Sequence, residues 1–106
     1  MSLEDPESVF VIFRRDANKT VFAIFPIMSP GRDDSLCVTA RAAGDGIELG
    51  ASQYSAAMRG SHAVKPKEYR ELLHRVREVF GEKTCVIQTA TSYMHELRAK
   101  RARGNV

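Results

Sequence analysis

Cys37, Cys85, His62, His74 and His95 are the residues of this chain most able to do chemistry. Nucleophilic catalysis needs a thiolate and a base brought together by the fold, and Cys37 or Cys85 with His62 is the pair a fold could assemble. Both cysteines, however, sit inside apolar β-type runs, "LCVTARA" (36–42) and "TCVIQT" (84–89), where free Cys behaves as a small buried hydrophobe and its thiol stays protonated. Ser61 beside His62 is adjacency in sequence only, which is no catalytic arrangement. His74 precedes Glu78 by one helical turn and reads as a surface residue with an acidic neighbour. His95 and Glu96 are adjacent on a helix and point in different directions. A zinc site needs paired Cys or His at short spacings, and none exists. "GDGIELG" at 44–50 has glycines but no strand-to-helix context for a phosphate cradle, so it reads as a turn. Asp16, Asp33 and Asp34 lie in loops, where solvated charge explains them as well as a bound cation. The expectation is no catalytic residue, no cofactor and no metal.

The other chemistry-bearing feature is the C-terminal "HELRAKRARGNV" (95–106). Arg98, Lys100, Arg101 and Arg103 together exceed the chain's net charge of +3, so residues 1–97 are net −1. The basic character of the sequence therefore belongs to this tail. Two readings stay open. The four cations suit the C-terminal end of a helix, where they stabilise the macrodipole by about 0.3–1 kcal/mol. They would equally contact nucleic-acid phosphates or an acidic partner, adding salt-sensitive and sequence-blind affinity.

The elements that must position these residues are readable in outline. "VFVIF" (9–13) and "VFAIFPIM" (21–28) are β-type runs separated by a polar segment, the pattern of a hairpin, with Pro26 ending or edging the second strand. "SPGRDDS" (29–35) is a loop, and "LCVTARA" alternates, with Leu36, Val38, Ala40 and Ala42 on one face and Cys37, Thr39 and Arg41 on the other. "IELG" begins a fourth strand; in residues 51–64 the alanines permit a helix, while Gln53-Tyr54-Ser55 and the flanking glycines permit a strand or ordered loop, with strand preferred. "KPKEYRELLHRVREVFG" is an amphipathic helix with Pro66 at its first position, an apolar stripe of Tyr69, Leu72, Leu73, Val76, Val79 and Phe80, and Gly81 as its stop. A last strand and a short helix starting near Thr91 or Ser92 follow, in which Tyr93 and Leu97 make an apolar contact facing the domain.

At 106 residues the chain fits one α+β domain over 1–106, with a flexible N-terminus at 1–8 and the basic tail at 98–106. The expected architecture is two layers: an antiparallel sheet of about four to five strands packed on one amphipathic helix, with a short C-terminal helix. Phe10 and Phe13 differ in parity, as do Phe22 and Phe25, so each pair divides between the two faces of its strand. One face packs under the helix, and the terminal helix or a second copy of the chain covers the other. Self-association is preferred, with Phe10, Phe13, Phe22 and Phe25 as the candidate residues and Arg14 and Arg15 at the rim.

"FRR" (13–15), "AIFP" (23–26), Cys37 and "KPKEYRELLHRV" (65–76) are together similar to a family of small uncharacterised bacterial proteins often found on mobile elements. The similarity spans residues 9–88, and the chain departs from it at "TARAAGDGIE" (39–48), where the family carries a Tyr-, His- and Gly-rich stretch. What the resemblance implies is an α+β fold with strands before one helix and no active site.

No apolar run approaches the ~20 residues of a membrane helix, and Glu4, Asp5 and Glu7 stand where a leader would be basic, so a cytoplasmic location is expected. The functional expectation is a non-enzymatic binding or assembly module that forms a homo-oligomer, a dimer at simplest. The alternatives are a nucleic-acid-associated protein using its basic tail, and an enzyme using His62 with Cys37 or the loop aspartates.

Overall fold

A computed structural model describes residues 9–31 and 35–104. The flexible N-terminus expected at 1–8 and the loop acids Asp33 and Asp34 lie outside the described residues.

The element order is β1 (Val9–Asp16), β2 (Val21–Phe25), β3 (Cys37–Ala43), β4 (Gly46–Ser52), α1 (Tyr54–Arg59), β5 (Ser61–Ala63), α2 (Pro66–Phe80), β6 (Thr84–Val86) and α3 (Ser92–Gly104). The first four strands form an antiparallel meander in the order β4-β3-β2-β1. Its first hairpin pairs Ile12 with Ile24 and Phe13 with Ala23. Asp16 closes that hairpin, its carboxylate accepting the N–H groups of Asn18 and Thr20 at 2.9 and 3.0 Å. The far side of β1 is shared by two short strands. β5 pairs antiparallel with Arg14–Asp16, and β6 pairs parallel with Val9–Val11. The sheet is thus mostly antiparallel, with one parallel edge supplied after the α2 crossover.

Alternation along the strands divides the core as parity requires. Val11, Phe13, Ala23, Phe25, Val38 and Ala40 lie under α2, against its buried Leu72 and Val76. Phe13 stacks on Tyr69 with centroids 4.4 Å apart, and Phe25 meets Phe80 at 4.9 Å. α2 starts with Pro66 and is tied at its first turn by Glu68, whose carboxylate accepts the Lys65 N–H at 2.7 Å. Gly81, at φ 100°, turns the chain out of the helix in a conformation that favours glycine.

The opposite face is not bare. Tyr54, Ala57 and Met58 of α1 lie over Ile12, Phe22, Ile24 and Cys37, while Met94 and Leu97 of α3 lie over Phe10 and Ile27. This corrects the expected self-association face. Phe10, Phe13, Phe22 and Phe25 are all buried, because the chain folds its own second layer over the side that α2 leaves. Residues 51–64 are also corrected. They hold the end of β4, the short helix α1 and the three-residue β5 rather than one strand. Six residues are too few to separate helical from strand periodicity, although Tyr54, Ala57 and Met58 carry the i, i+3, i+4 spacing that marks the buried side of α1. No helix among the described residues is long and apolar enough to cross a membrane.

Candidate functional site

The tail does not present its charges as one surface. Arg98 is buried, 7% exposed, with its Nε–H donated to Ser29 Oγ at 3.0 Å and its Nη2 without a hydrogen-bond partner among the described residues. It cannot reach a phosphate from there. Lys100 is exposed, and the side chains of Arg101 and Arg103 lie outside the described residues. The sequence places Arg98 with its neighbours because charge is visible in sequence. Its position one turn after the buried Met94 is the signal that places it on the docked side of α3.

The cysteine–histidine pairing fails on topology. His62 is the cross-strand partner of Arg15, two residues from Phe13, which puts it on the α2 side of the sheet. Cys37 and Cys85 belong to the core on the α1 and α3 side. Cys37 is fully buried and donates its thiol to the Ser52 carbonyl at 3.2 Å. Burial pushes that thiol's pKa up, with the charge of Arg98 only partly opposing it. A thiol held protonated out of solvent is no nucleophile. His74 bonds Glu78 at 2.9 Å on the exposed face of α2, as its spacing indicates. Among the described residues no cluster of three or more His, Cys, Asp or Glu is placed to hold a metal.

Arg14 and Arg15, expected at the rim of an interface, are structural ties on opposite faces of β1. Arg14 donates to Ser61 Oγ at 2.9 Å and to the carbonyls of Ser61 and Met58 at 2.7 and 3.2 Å, closing the end of α1. Arg15 meets the Glu68 carboxylate at 2.8 Å and ties β1 to the first turn of α2. Where β5 and β6 part along β1, a cleft of about 250 Å³ opens beside Phe13, Val64, Tyr69 and Ile87. The guanidinium of Arg14, which also lines the cleft, is already committed to α1.

The remaining surface feature is the outer edge of β4. This strand pairs with β3 along its whole length, and among the described residues nothing pairs with its other side. Natural edge strands are blunted by lysine, proline or bulges, yet β4 carries only Glu48 as a charge. Leu49 is 55% exposed on the α2 side of this strand, two residues beyond Ile47, which packs into the core. Arg75 of α2 holds the start of β4 through the Gly44 and Gly46 carbonyls at 2.7 and 3.0 Å. Val79 follows Arg75 by one helical turn on the same flank and is 58% exposed. An unpaired strand edge and two bare aliphatic side chains therefore share one border of the molecule. The sequence reading placed Val79 in the buried stripe and gave β4 no role, because which strand ends a sheet is not written in its residues.

No protein-family model, curated protein or solved structure matches the chain.

Proposed function

We propose that the protein is a non-enzymatic assembly module that dimerises through the free edge of β4. The observation carrying this reading is the pairing of an unprotected seven-residue edge with the exposed Leu49 and Val79. A second copy satisfies both needs at once, since its own β4 supplies the missing ladder partners and its own Leu49 the missing apolar contact. The charge pattern selects the register. Antiparallel pairing centred on Leu49 sets the two Leu49 side chains together and Glu48 against glycine, whereas centring on Glu48 sets like charges opposite. The buried phenylalanines play no part beyond holding the sheet. The burial of Arg98 weighs against the alternative, in which the tail itself is a nucleic-acid hand.

The test is sedimentation velocity on the wild type and on Leu49→Lys and Val79→Asp across a concentration series. The reading expects a wild-type dimer and monomeric variants with unchanged circular dichroism, since both side chains are exposed. A wild type that stays monomeric at high micromolar concentration overturns it, as does a dimer indifferent to both substitutions.

A further inference from the structure

The hairpin end of β1 carries a basic surface of which the fold uses only Arg14 and Arg15 and dimerisation uses nothing. With Arg14 set aside, since it is committed to α1 on the other face, residues 15–19 and 59–70 contain six lysines and arginines against two carboxylates. The two segments are far apart in sequence, and the β1–β5 pairing of Arg14–Asp16 with Ser61–Ala63 brings them together. At their junction lies an open hollow of about 520 Å³ lined by Arg15, Asp16, Ala17, Lys19 and His62. Arg15 and His62 are direct cross-strand partners, so their side chains emerge side by side. Arg59, Lys65 and Lys67 are exposed and lie within five residues of His62 in sequence.

Both acids of the cluster are occupied internally. One oxygen of Asp16 accepts two backbone N–H groups of the turn, and Glu68 holds Arg15 and the Lys65 N–H. Lys19, Lys65 and Lys67 form no salt bridge among the described residues, although the Glu68 carboxylate feels the charges of Lys65 and Lys67. Lys19 adds a separate observation. It is the one non-glycine residue among the described residues with positive φ, at 65°, in a turn position where glycine or asparagine is the unstrained choice. A cation at a strained backbone position beside a basic hollow points to contact rather than folding as its role.

We infer that this surface binds the phosphate backbone of nucleic acid. The charges are distributed over the end of β1, the turn after it and the start of α2 rather than focused on one point, which fits a run of phosphates better than a single ion. Among the described residues no Phe or Tyr lines the hollow, so the contact is electrostatic and sequence-blind in the main. The surface lies at the edge of the sheet opposite β4, so the proposal stands whether or not the chain dimerises.

The test is fluorescence anisotropy of a labelled mixed-sequence DNA duplex with the full chain, with Lys19→Glu/Lys67→Glu, and with Lys100→Glu, which alters the tail alone. Three phosphate contacts imply a log–log salt slope near −2.7, or roughly a fortyfold loss of affinity between about 50 and 200 mM salt. The expected result is that slope for the wild type, at least a tenfold loss in the double variant and less than a twofold change in Lys100→Glu. No binding by the wild type overturns the inference, and so does a loss confined to Lys100→Glu. Displacement of the duplex by inorganic phosphate at low millimolar concentration also overturns it, since that marks a site for the free ion. Thermal melts of both variants establish that they remain folded.

Discussion

Arg98 donates its Nε–H to the hydroxyl of Ser29 at 3.0 Å, across 69 residues of sequence, and so pins the middle of α3 to the loop after β2. This contact turns the first cation of a basic tail into an interior group. Its Nη2 is buried without a hydrogen-bond partner, and no carboxylate among the described residues pairs with it. Burial of an unpaired charge is unfavourable, and an apolar side chain of similar length removes the cost while keeping the packing. Arg98→Met is therefore expected to leave stability unchanged or raise it by about 1 kcal/mol, read from urea midpoints. A loss greater than that would show that the guanidinium is better satisfied than its contacts indicate.

The thiols should separate by reactivity. Cys37 is buried with its pKa raised, whereas Cys85 is only half-buried. A chromogenic disulfide reagent in native buffer should titrate one thiol, and the second only in denaturant. Mass mapping should assign the protected thiol to Cys37. Equal rates for both would mean that α1 and α3 open readily.

The orientation of α2 sets a contrast between two positions seven residues apart. Leu72 is buried against the sheet, so Leu72→Ala should cost about 2–5 kcal/mol. Val79 is exposed, and Val79→Ala should change monomer stability by less than about 0.5 kcal/mol. Comparable losses at the two sites would misplace the helix face.

Glu68 gives stability a pH dependence of known sign. Its pKa is lowered, chiefly because its carboxylate accepts the Lys65 N–H and further because Arg15 lies beside it. The folded state therefore releases this proton more readily than the unfolded state does. The resulting stability is present above the ordinary carboxylate range and lost as pH falls through the lowered value. Wild type should exceed Glu68→Gln in stability near about pH 7, and the difference should shrink towards about pH 3. A difference that does not vary with pH would leave only neutral contacts to explain it.

Lys19 should show stability and binding moving in opposite directions. Relief of the left-handed backbone in Lys19→Gly should stabilise the fold by about 1 kcal/mol while weakening duplex binding. A stability gain without loss of affinity would remove Lys19 from the proposed contact.

Local pattern made the α+β class legible. The β-branched and aromatic runs at 9–13 and 21–25 show a hairpin, and the 3.6-residue stripe from Tyr69 to Phe80 shows the helix over it. The parity of Phe10 against Phe13, and of Phe22 against Phe25, divides them between two faces as the core does. These features depend on neighbours within one or two turns, so the order of residues is enough to fix them. For the second face the sequence offers the terminal helix, which covers Phe10 and Ile27, but not α1, whose six residues are too short for a periodic signal.

Composition by itself determined the total charge, and the order of residues determined the alternation of the strands and the amphipathic face of α2. Tertiary structure alone decided which charges act together. It buried Arg98, separated His62 from both cysteines, left β4 at an open edge and joined the basic segments 14–19 and 59–70 through the pairing of β1 with β5. The physical reason is that sheet order and helix docking are set by burial and ladder bonding between residues distant in sequence. A charge or an apolar side chain acquires its role only when those contacts determine what stands opposite it.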